Sequence, residues 1–566
     1  MKRLPFVPLL ALAASCGFYR PDPAGREGEL PELGGGETAS FRSLADAALE
    51  ALYSAFPERA TADGVHDHDN RLGDWSRAGV DARAASLRRH LRRLEALALD
   101  VLPEASYYDA LQLISRFRAE LFDLETVRSW ERDPGHYRRV ISDALYPLAA
   151  LGFAPVERRR GLAEGRLGDV PGLLAAARAN LANPPRIFTE IAIEDFGGLL
   201  AFVRDGLPQA FGDPKNGEFA EARKDAVEAL TAFLAWMKAE LLPKSAGAFA
   251  LGAEAYRTKL LHEEMIETPL DVLLDRGYAL LRRTREEMKA AAGARAPEDV
   301  LKEAAKDHPP AEKLLDETKA LLAELKRWAS TVATLPEEDD VRVIETPAFR
   351  RSTSFASMQT PGPFETAAKE AYYAVTLPDP GWTEDRKAQH LSFFSRPSLA
   401  LISVHEVWPG HYAQNLLARH APTRVRKALG SAAFSEGWAH YTEQLYAESV
   451  PAVRLIQLKM ALLRVCRYVA ALEMHTRGMS VEKATEFFMT EGLLPAAAAE
   501  REARRGAVDP LYLVYTLGKA EILRLRDDWR NATGGSLKDF HDALLRAGHP
   551  PLKIARMILL EGRRGP

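Results

Sequence analysis

One stretch indicates both the helical character of this chain and its chemistry: residues 398–411 read SLALISVHEVWPGH. Its apolar first half predicts a buried helix that ends in His405 and Glu406. A second histidine, His411, follows six positions after the first, and Glu436, in the segment SEGW, follows 25 positions after that. Two imidazoles and a carboxylate are ligands that a catalytic zinc ion takes while one position stays open for water.

The spacing of the two histidines is unusual for one helix. Residues four apart on a helix point the same way, whereas residues six apart point roughly 120° away from each other. Pro409 and Gly410 lie between the histidines, and this pair can interrupt a helix because proline lacks the N–H and glycine accepts unusual backbone angles. We expect a two-residue bulge that returns His411 to the direction of His405. The alternative is a helix–turn boundary with two unrelated histidines.

The charges of these residues assign their roles. We expect His405, His411 and Glu436 to bind one Zn²⁺ per chain, which lowers the pKa of its bound water towards ~7. Glu406, directly beside the first ligand, is the candidate general base. It would take the proton of the zinc-bound water and pass it to the leaving amine.

Further polar residues are candidates for supporting roles. His440 and Glu443 follow Glu436 by four and seven positions on one helix face, so one of them is expected to hydrogen-bond a ligand histidine. A solvated polar face is the alternative. Tyr515 is the candidate for stabilising the developing oxyanion, or else a core tyrosine. Arg505 is a candidate for binding a substrate carboxylate, or else a surface arginine.

Composition excludes several classes of protein. Among 566 residues, 75 Lys and Arg stand against 79 Asp and Glu, which gives a net charge of −4. We therefore expect no nucleic-acid partner, because no basic excess is present. Two cysteines allow one bridge at most and exclude a disulfide framework.

The N-terminus has the pattern of a lipoprotein-type signal peptide over residues 1–15. A basic start is followed by the apolar run Leu4–Ala14, which is too short to span a bilayer. Ala13 to Cys16 resembles the lipobox of bacterial lipoproteins, and the resemblance implies lipid attachment at Cys16. It also implies a cell-envelope protein on the periplasmic face, and Gly17 favours the outer membrane. The membrane is then reached through the lipid anchor only. Plain secretion to the periplasm is the alternative.

The rest of the chain reads as helix after helix. We expect a flexible tether over residues 16–42, an N-terminal helical half over 43–295 and a C-terminal catalytic helical half over 296–566. Val341–Glu345 and Ala371–Leu377 predict strands of a small sheet beside the catalytic helix. An exposed edge of that sheet would suit an extended peptide. A structural hairpin is the alternative.

Asp63–Asp69 is dense in carboxylates and imidazoles. Its spacing fits no calcium loop, because the glycine and the terminal glutamate are misplaced. We interpret it as a polar loop rich in capping residues, with a second metal site as the alternative.

The motifs around His405–His411 and Glu436–Trp438 resemble the bacterial domain-of-unknown-function 885 family, which carries HExxPGH and then Glu-Gly-Trp. The resemblance covers about residues 45–560. It includes Asn180–Pro185, Thr189–Ile193, Phe249–Gly252, Tyr256, Arg505, Pro510–Tyr515, Gly518 and Gly548–Leu552. Such proteins are more distantly similar to gluzincins of the thimet-oligopeptidase type. The resemblance implies a mainly α fold, with two helical halves around a deep central cleft and a small β-sheet. It also implies a zinc-dependent metallopeptidase that hydrolyses short peptides.

Two other functions fit the same residues. One is a zinc amidohydrolase that acts on a non-peptide amide. The other is a non-catalytic, peptide-binding lipoprotein, which Glu406 disfavours because binding alone needs no general base. Substrate preference, exo- or endopeptidase action and oligomeric state stay open.

Overall fold

A computed structural model describes residues 37–212, 216–347 and 355–562, and the fold there is mainly α-helical, as predicted. The helices before the sheet are α1 Glu37–Ala55, α2 Pro57–Asp63, α3 Arg77–Glu95, α4 Glu104–Phe122, α5 Ser129–Arg132, α6 Pro134–Ala150, α7 Val156–Asn180, α8 Arg186–Ala201, α9 Leu207–Phe211, α10 Glu218–Trp236, α11 Leu242–Lys244, α12 Ala253–Glu264, α13 Leu270–Ala292, α14 Pro297–Ala304 and α15 Leu314–Val332.

The strands of the sheet and the remaining helices follow, and the candidate site residues lie on some of these helices. These strands and helices are β1 Val341–Glu345, β2 Ala356–Gln359, β3 Ala371–Val375, α16 Glu384–Phe393, α17 Arg396–Glu406, α18 His411–Ala418, α19 Arg424–Ala428, α20 Ala432–Ser449, α21 Arg454–Thr476, α22 Val481–Thr490, α23 Ala496–Val508, α24 Val514–Thr533, α25 Leu537–Arg546 and α26 Leu552–Arg556.

Two large hydrophobic cores organise the helices. The first is formed by residues between Phe41 and Leu241, together with Val425 and Leu429. The second is formed mostly by residues from Tyr256 onward. Helix α13 belongs to this second core and packs closely on α21, where a Cβ on Gly277 would lie 2.7 Å from the ring of Tyr468. The change from the first core to the second falls before α12, and the boundary at 295 between the two halves stays a prediction.

The first helix begins earlier than the sequence indicates. Helix α1 starts at Glu37, inside the expected tether over residues 16–42. Phe41 is buried in the first core, so hydrophobic burial orders the end of that segment. The part of the tether before residue 37 lies outside the described residues.

The small sheet lies against the helix that carries His405. Its strand order is β1-β3-β2, with β1 parallel and β2 antiparallel to β3. The two strands predicted from sequence are confirmed, but a hairpin between them is wrong because they run parallel. One face meets α17, where the Tyr373 hydroxyl lies 3.1 Å from the Ser403 hydroxyl. The predicted position of the sheet is thus confirmed.

Candidate metal centre

Helix α17 ends at Glu406, and α18 begins at His411. The four residues between them form a tight turn with a cis peptide bond before Pro409. The Gly410 amide donates to the Val404 carbonyl at 3.0 Å, which folds the turn back onto α17. A Cβ on Gly410 would lie 1.8 Å from the His405 carbonyl oxygen, so this position requires glycine. The prediction of a bulge within one continuous helix is wrong, because two separate helices are joined by this turn.

The turn brings both imidazoles to one carboxylate. Glu436 Oε2 lies 3.6 Å from His405 Nε2 and 3.7 Å from His411 Nε2. The two rings stand nearly perpendicular, with centroids 4.8 Å apart. One ligand atom from each residue lies within 4.8 Å of the others, which makes these three residues a group able to hold a metal ion.

The trio fits a zinc ion. Two ligands bound at about 2.1 Å to one tetrahedral ion lie about 3.4 Å apart, close to the distances from Glu436 Oε2 to the two imidazole nitrogens. These separations are also too long for ordinary hydrogen bonds. Glu436 Oε2 is buried and has no hydrogen-bond partner among the described residues. A buried carboxylate oxygen without a partner is costly, and a shared cation removes that cost.

Glu443 holds the first histidine from the side away from Glu436. Its Oε1 lies 2.7 Å from His405 Nδ1 and accepts from Arg464 Nη2 at 2.8 Å. Glu443 is fully buried. This contact leaves His405 Nε2 facing Glu436 and the candidate metal position, as expected for a carboxylate that orients a ligand histidine.

The trio is strongly coupled electrostatically. Burial alone would lower the pKa of His405, but the carboxylates of Glu436 and Glu443 outweigh it and raise that pKa to about 9. Burial alone would raise the pKa of Glu436, but the two histidines hold it well below its usual value. In the metal-free protein both ring nitrogens of His405 are therefore protonated near neutral pH, and His405 must lose one of these protons when a metal binds.

Gly437 and Trp438, which follow Glu436, have a structural role that was not predicted from the sequence. Trp438 is buried and donates its indole N–H to the Pro409 carbonyl at 2.8 Å, so helix α20 holds the turn between the histidines. Gly437 meets α24, where a Cβ would lie 2.5 Å from the carbonyl carbon of Gly518. A large apolar tryptophan two positions after a candidate ligand was the available signal.

His440 does not bond to a ligand histidine. It is buried, and its Nδ1 has no hydrogen-bond partner in the described parts of the chain. Burial, with the nearby cations Lys519 and Arg464, holds the pKa of His440 well below its usual value. Of the two residues considered for this role, Glu443 makes the contact.

Tyr515 and Arg505 lie together beside this centre. Arg505 Nη2 donates to the Tyr515 hydroxyl at 3.0 Å. Burial is the main cause of the raised pKa of Tyr515, and the charge of Glu436 adds to it. Because Tyr515 accepts this bond, its own O–H is available for donation to a substrate oxygen.

Glu406 is the last residue of α17 and is half-buried. It follows His405 directly, so its side chain leaves the helix about 100° away from the ligand. The charge of Glu406 adds to the raised pKa of Tyr373, for which burial is the main cause. Glu406, the candidate general base, thus lies near Tyr373 of strand β3.

Residues 57–558 match the family described as bacterial protein of unknown function (DUF885). The chain belongs to the DUF885 family. No curated protein matches it. The fold is similar to that of a protein from Shewanella oneidensis that is provisionally assigned as a lipoprotein of unknown function. That match has 24% identity and a TM-score of 0.77, and it covers 92% of this chain and all of the other.

A second solved structure shares this DUF885 fold. It is a provisionally assigned lipoprotein from Colwellia psychrerythraea, with 17% identity and a TM-score of 0.77, and the match covers 92% of this chain and 98% of the other. The predicted family resemblance is therefore confirmed. At these identities the two structures establish the fold.

The segment Asp63–Asp69 of this DUF885 protein forms no metal cluster within the described residues. His66 Nδ1 lies 2.7 Å from Asp69 Oδ2, and His66 Nε2 lies 2.9 Å from Glu365 Oε2. Burial alone would lower the pKa of His66, but these two carboxylates outweigh it and raise it to about 9. The segment joins the N-terminal helices to the chain after β2, which agrees with a polar structural role, but no side chain in it caps α2 or the 3-10 turn His66–His68.

The predicted signal peptide and lipid-attachment site concern the N-terminus of the chain. Cys16 and the signal-like segment are outside the described residues. No helix within residues 37–212, 216–347 or 355–562 is both long and apolar enough to cross a membrane.

Proposed function

We propose that this DUF885 protein is a zinc-dependent metallopeptidase that hydrolyses short peptides. The observation that carries the proposal is the close approach of His405 Nε2 and His411 Nε2 to Glu436 Oε2, which has no hydrogen-bond partner among the described residues, with Glu406 next to His405 in the chain. A trio of this composition with an adjacent carboxylate is suited to hydrolysis rather than to metal storage, because storage needs no general base.

Each residue of the site has a separate role in the proposed reaction. His405, His411 and Glu436 would hold Zn²⁺, which supplies a Lewis acid and lowers the pKa of an attacking water. Glu406 takes a proton from the water whose oxygen bonds to the substrate carbonyl carbon. As the C–N bond breaks, Glu406 delivers that proton to the leaving amine. Tyr515 donates its O–H to the carbonyl oxygen as negative charge develops there.

The position of the sheet supports a peptide as the substrate. Strand β2 is an edge strand, and Thr360, the next residue, accepts from Asn415 Nδ2 at 3.1 Å. Asn415 lies one turn beyond His411 on α18, so the end of β2 lies close to the metal ligands. An edge strand in this position offers backbone pairing to an extended peptide.

We also propose that the protein belongs to the cell envelope and is anchored through a lipid on Cys16. The basic and apolar start of the chain and its lipobox-like segment support this. The assignment of both fold neighbours as lipoproteins agrees with it.

Digestion of a mixed peptide library by wild type and by Glu406→Gln, read by mass spectrometry, tests the proposed function. The variant should keep one zinc per chain and lose roughly two to four orders of magnitude in turnover, as expected for removal of a general base. Equal turnover by the variant, or an intact library after incubation with zinc-loaded wild type, would refute the proposal.

A further inference from the structure

A second polar group lies next to the metal centre on the neighbouring helices. Helices α20 and α24 touch backbone to backbone, because a Cβ on Gly518 would lie 1.8 Å from the Ala433 carbonyl oxygen. Glu436 adjoins this contact on α20, and Tyr515 precedes Gly518 by one turn on α24. The contact therefore places Tyr515, and the Arg505 bound to it, beside Glu436.

Arg505 is the accessible cation of this group. Its side chain keeps 39% of its surface exposed, and its Nη2 contacts both the Tyr515 hydroxyl and Asp509 Oδ2, the latter at 3.2 Å. By contrast, Arg467, which lies against the Tyr515 ring, is held by Glu502 through two bonds of 2.7 and 2.8 Å. A guanidinium offers five N–H donors, so Arg505 has donors left for a ligand.

The chemistry of that ligand follows from the donor. A planar guanidinium fork matches a carboxylate with two parallel hydrogen bonds. Asp509 already accepts one hydrogen bond from Arg505 Nη2 at 3.2 Å, and its side chain is 40% exposed. An exposed ion pair of this kind contributes little to stability, so a carboxylate from a substrate can compete with it or join it.

We propose that Arg505 binds the C-terminal carboxylate of the peptide substrate and that the protein releases short fragments from C-terminal ends. This inference rests on the proposed function. Arg505 lies on α23 and donates to Tyr515 of α24, which packs against α20 beside Glu436, so Arg505 lies on the order of 10 Å from the metal ligands. An extended chain covers that span with about three residues. Cleavage should therefore fall within about three residues of the C-terminus.

One mixed hexapeptide library, prepared as free C-terminal acids and as C-terminal amides, tests the proposal. Zinc-loaded wild type should cleave the acids about 10- to 100-fold faster in kcat/KM than the amides, as expected for one charge-assisted bidentate contact. Arg505→Met should cleave both forms within about twofold of each other, and Arg505→Lys should recover part of the preference. Arg504→Met is the matched control, because Arg504 is on the same helix and pairs with Glu194 instead.

Binding provides a readout that does not depend on turnover. Zinc-loaded Glu406→Gln should bind the labelled acid library about tenfold more tightly than the amide library in fluorescence anisotropy, and adding Arg505→Met should abolish the difference. Equal cleavage and equal binding of acids and amides would refute carboxylate binding by Arg505 but not the proposed hydrolase activity. Acid-selective binding without cleavage would support carboxylate binding by Arg505 and count against the proposed function. Cuts far from the C-terminus would also refute carboxylate binding by Arg505.

Discussion

Glu443→Gln tests the support that Glu443 gives to the metal site, and the addition of Arg464→Met separates this support from the stability of the fold. The substitution keeps the shape of a fully buried side chain and removes the charge that holds His405 Nδ1 at 2.7 Å. Loss of such a partner typically costs 10- to 100-fold in metal affinity, or about 1.4 to 2.8 kcal/mol. We therefore expect Glu443→Gln to weaken zinc binding by that factor, measured by competition with a chromogenic chelator.

The same substitution leaves Arg464 without its ion partner. Arg464 keeps only 11% of its side-chain surface exposed, so its charge stays buried. Breaking a buried pair by removing one partner costs about 3 to 5 kcal/mol in the free energy of unfolding. Urea unfolding should show that loss in metal-free Glu443→Gln and a partial recovery when Arg464→Met is added. Zinc affinity should stay low in the double variant. Zinc affinity within threefold of wild type in Glu443→Gln would refute the role of Glu443.

Three more predictions concern protons, the turn and the polar loop. Zinc binding near pH 7 should release about one proton from His405, because its pKa is raised. The apparent zinc affinity should therefore increase with pH up to about pH 9. Calorimetry in buffers of different ionisation enthalpy measures the proton release, and no release would contradict the prediction. Gly410→Ala should weaken zinc binding at least about tenfold by chelator competition, whereas Gly161→Ala, with open space at its Cβ, should bind zinc normally. His66 stabilises the fold fully below its unfolded pKa of 6.5 and loses this contribution as pH rises through about 9. Urea unfolding should show this decline, at most about 3 kcal/mol, in wild type and His68→Gln but not in His66→Gln.

Much of the fold was predictable because local patterns and tertiary structure agree. The apolar run before His405 becomes the buried part of α17, and the aromatic run from Ala371 becomes β3. Strand β2 escaped prediction because Ala356–Gln359 has weak strand propensity and pairs with β3 through tertiary contact. The start of α1 escaped because Phe41 is buried in a core that several other helices share.

The candidate ligands were predictable from residue type, and their support was not. Pro409 and Gly410 indicate an interruption of the helix, but the sequence does not say whether it is a bulge or a turn. The turn is held by Trp438, which lies on another helix. Likewise Arg464 contacts Glu443 from α21, and nothing in the local sequence marks that pair. Such contacts depend on how distant helices pack.

X-ray absorption at the zinc edge tests the central claim most directly. Purified protein should contain about one zinc per chain, with two imidazole nitrogens at about 2.0 to 2.1 Å and oxygen ligands at about 2.0 to 2.2 Å. His411→Ala should lose one imidazole from this shell, whereas His440→Ala should keep both. Protein that holds no zinc after metal loading, or a shell unchanged in His411→Ala, would contradict the account.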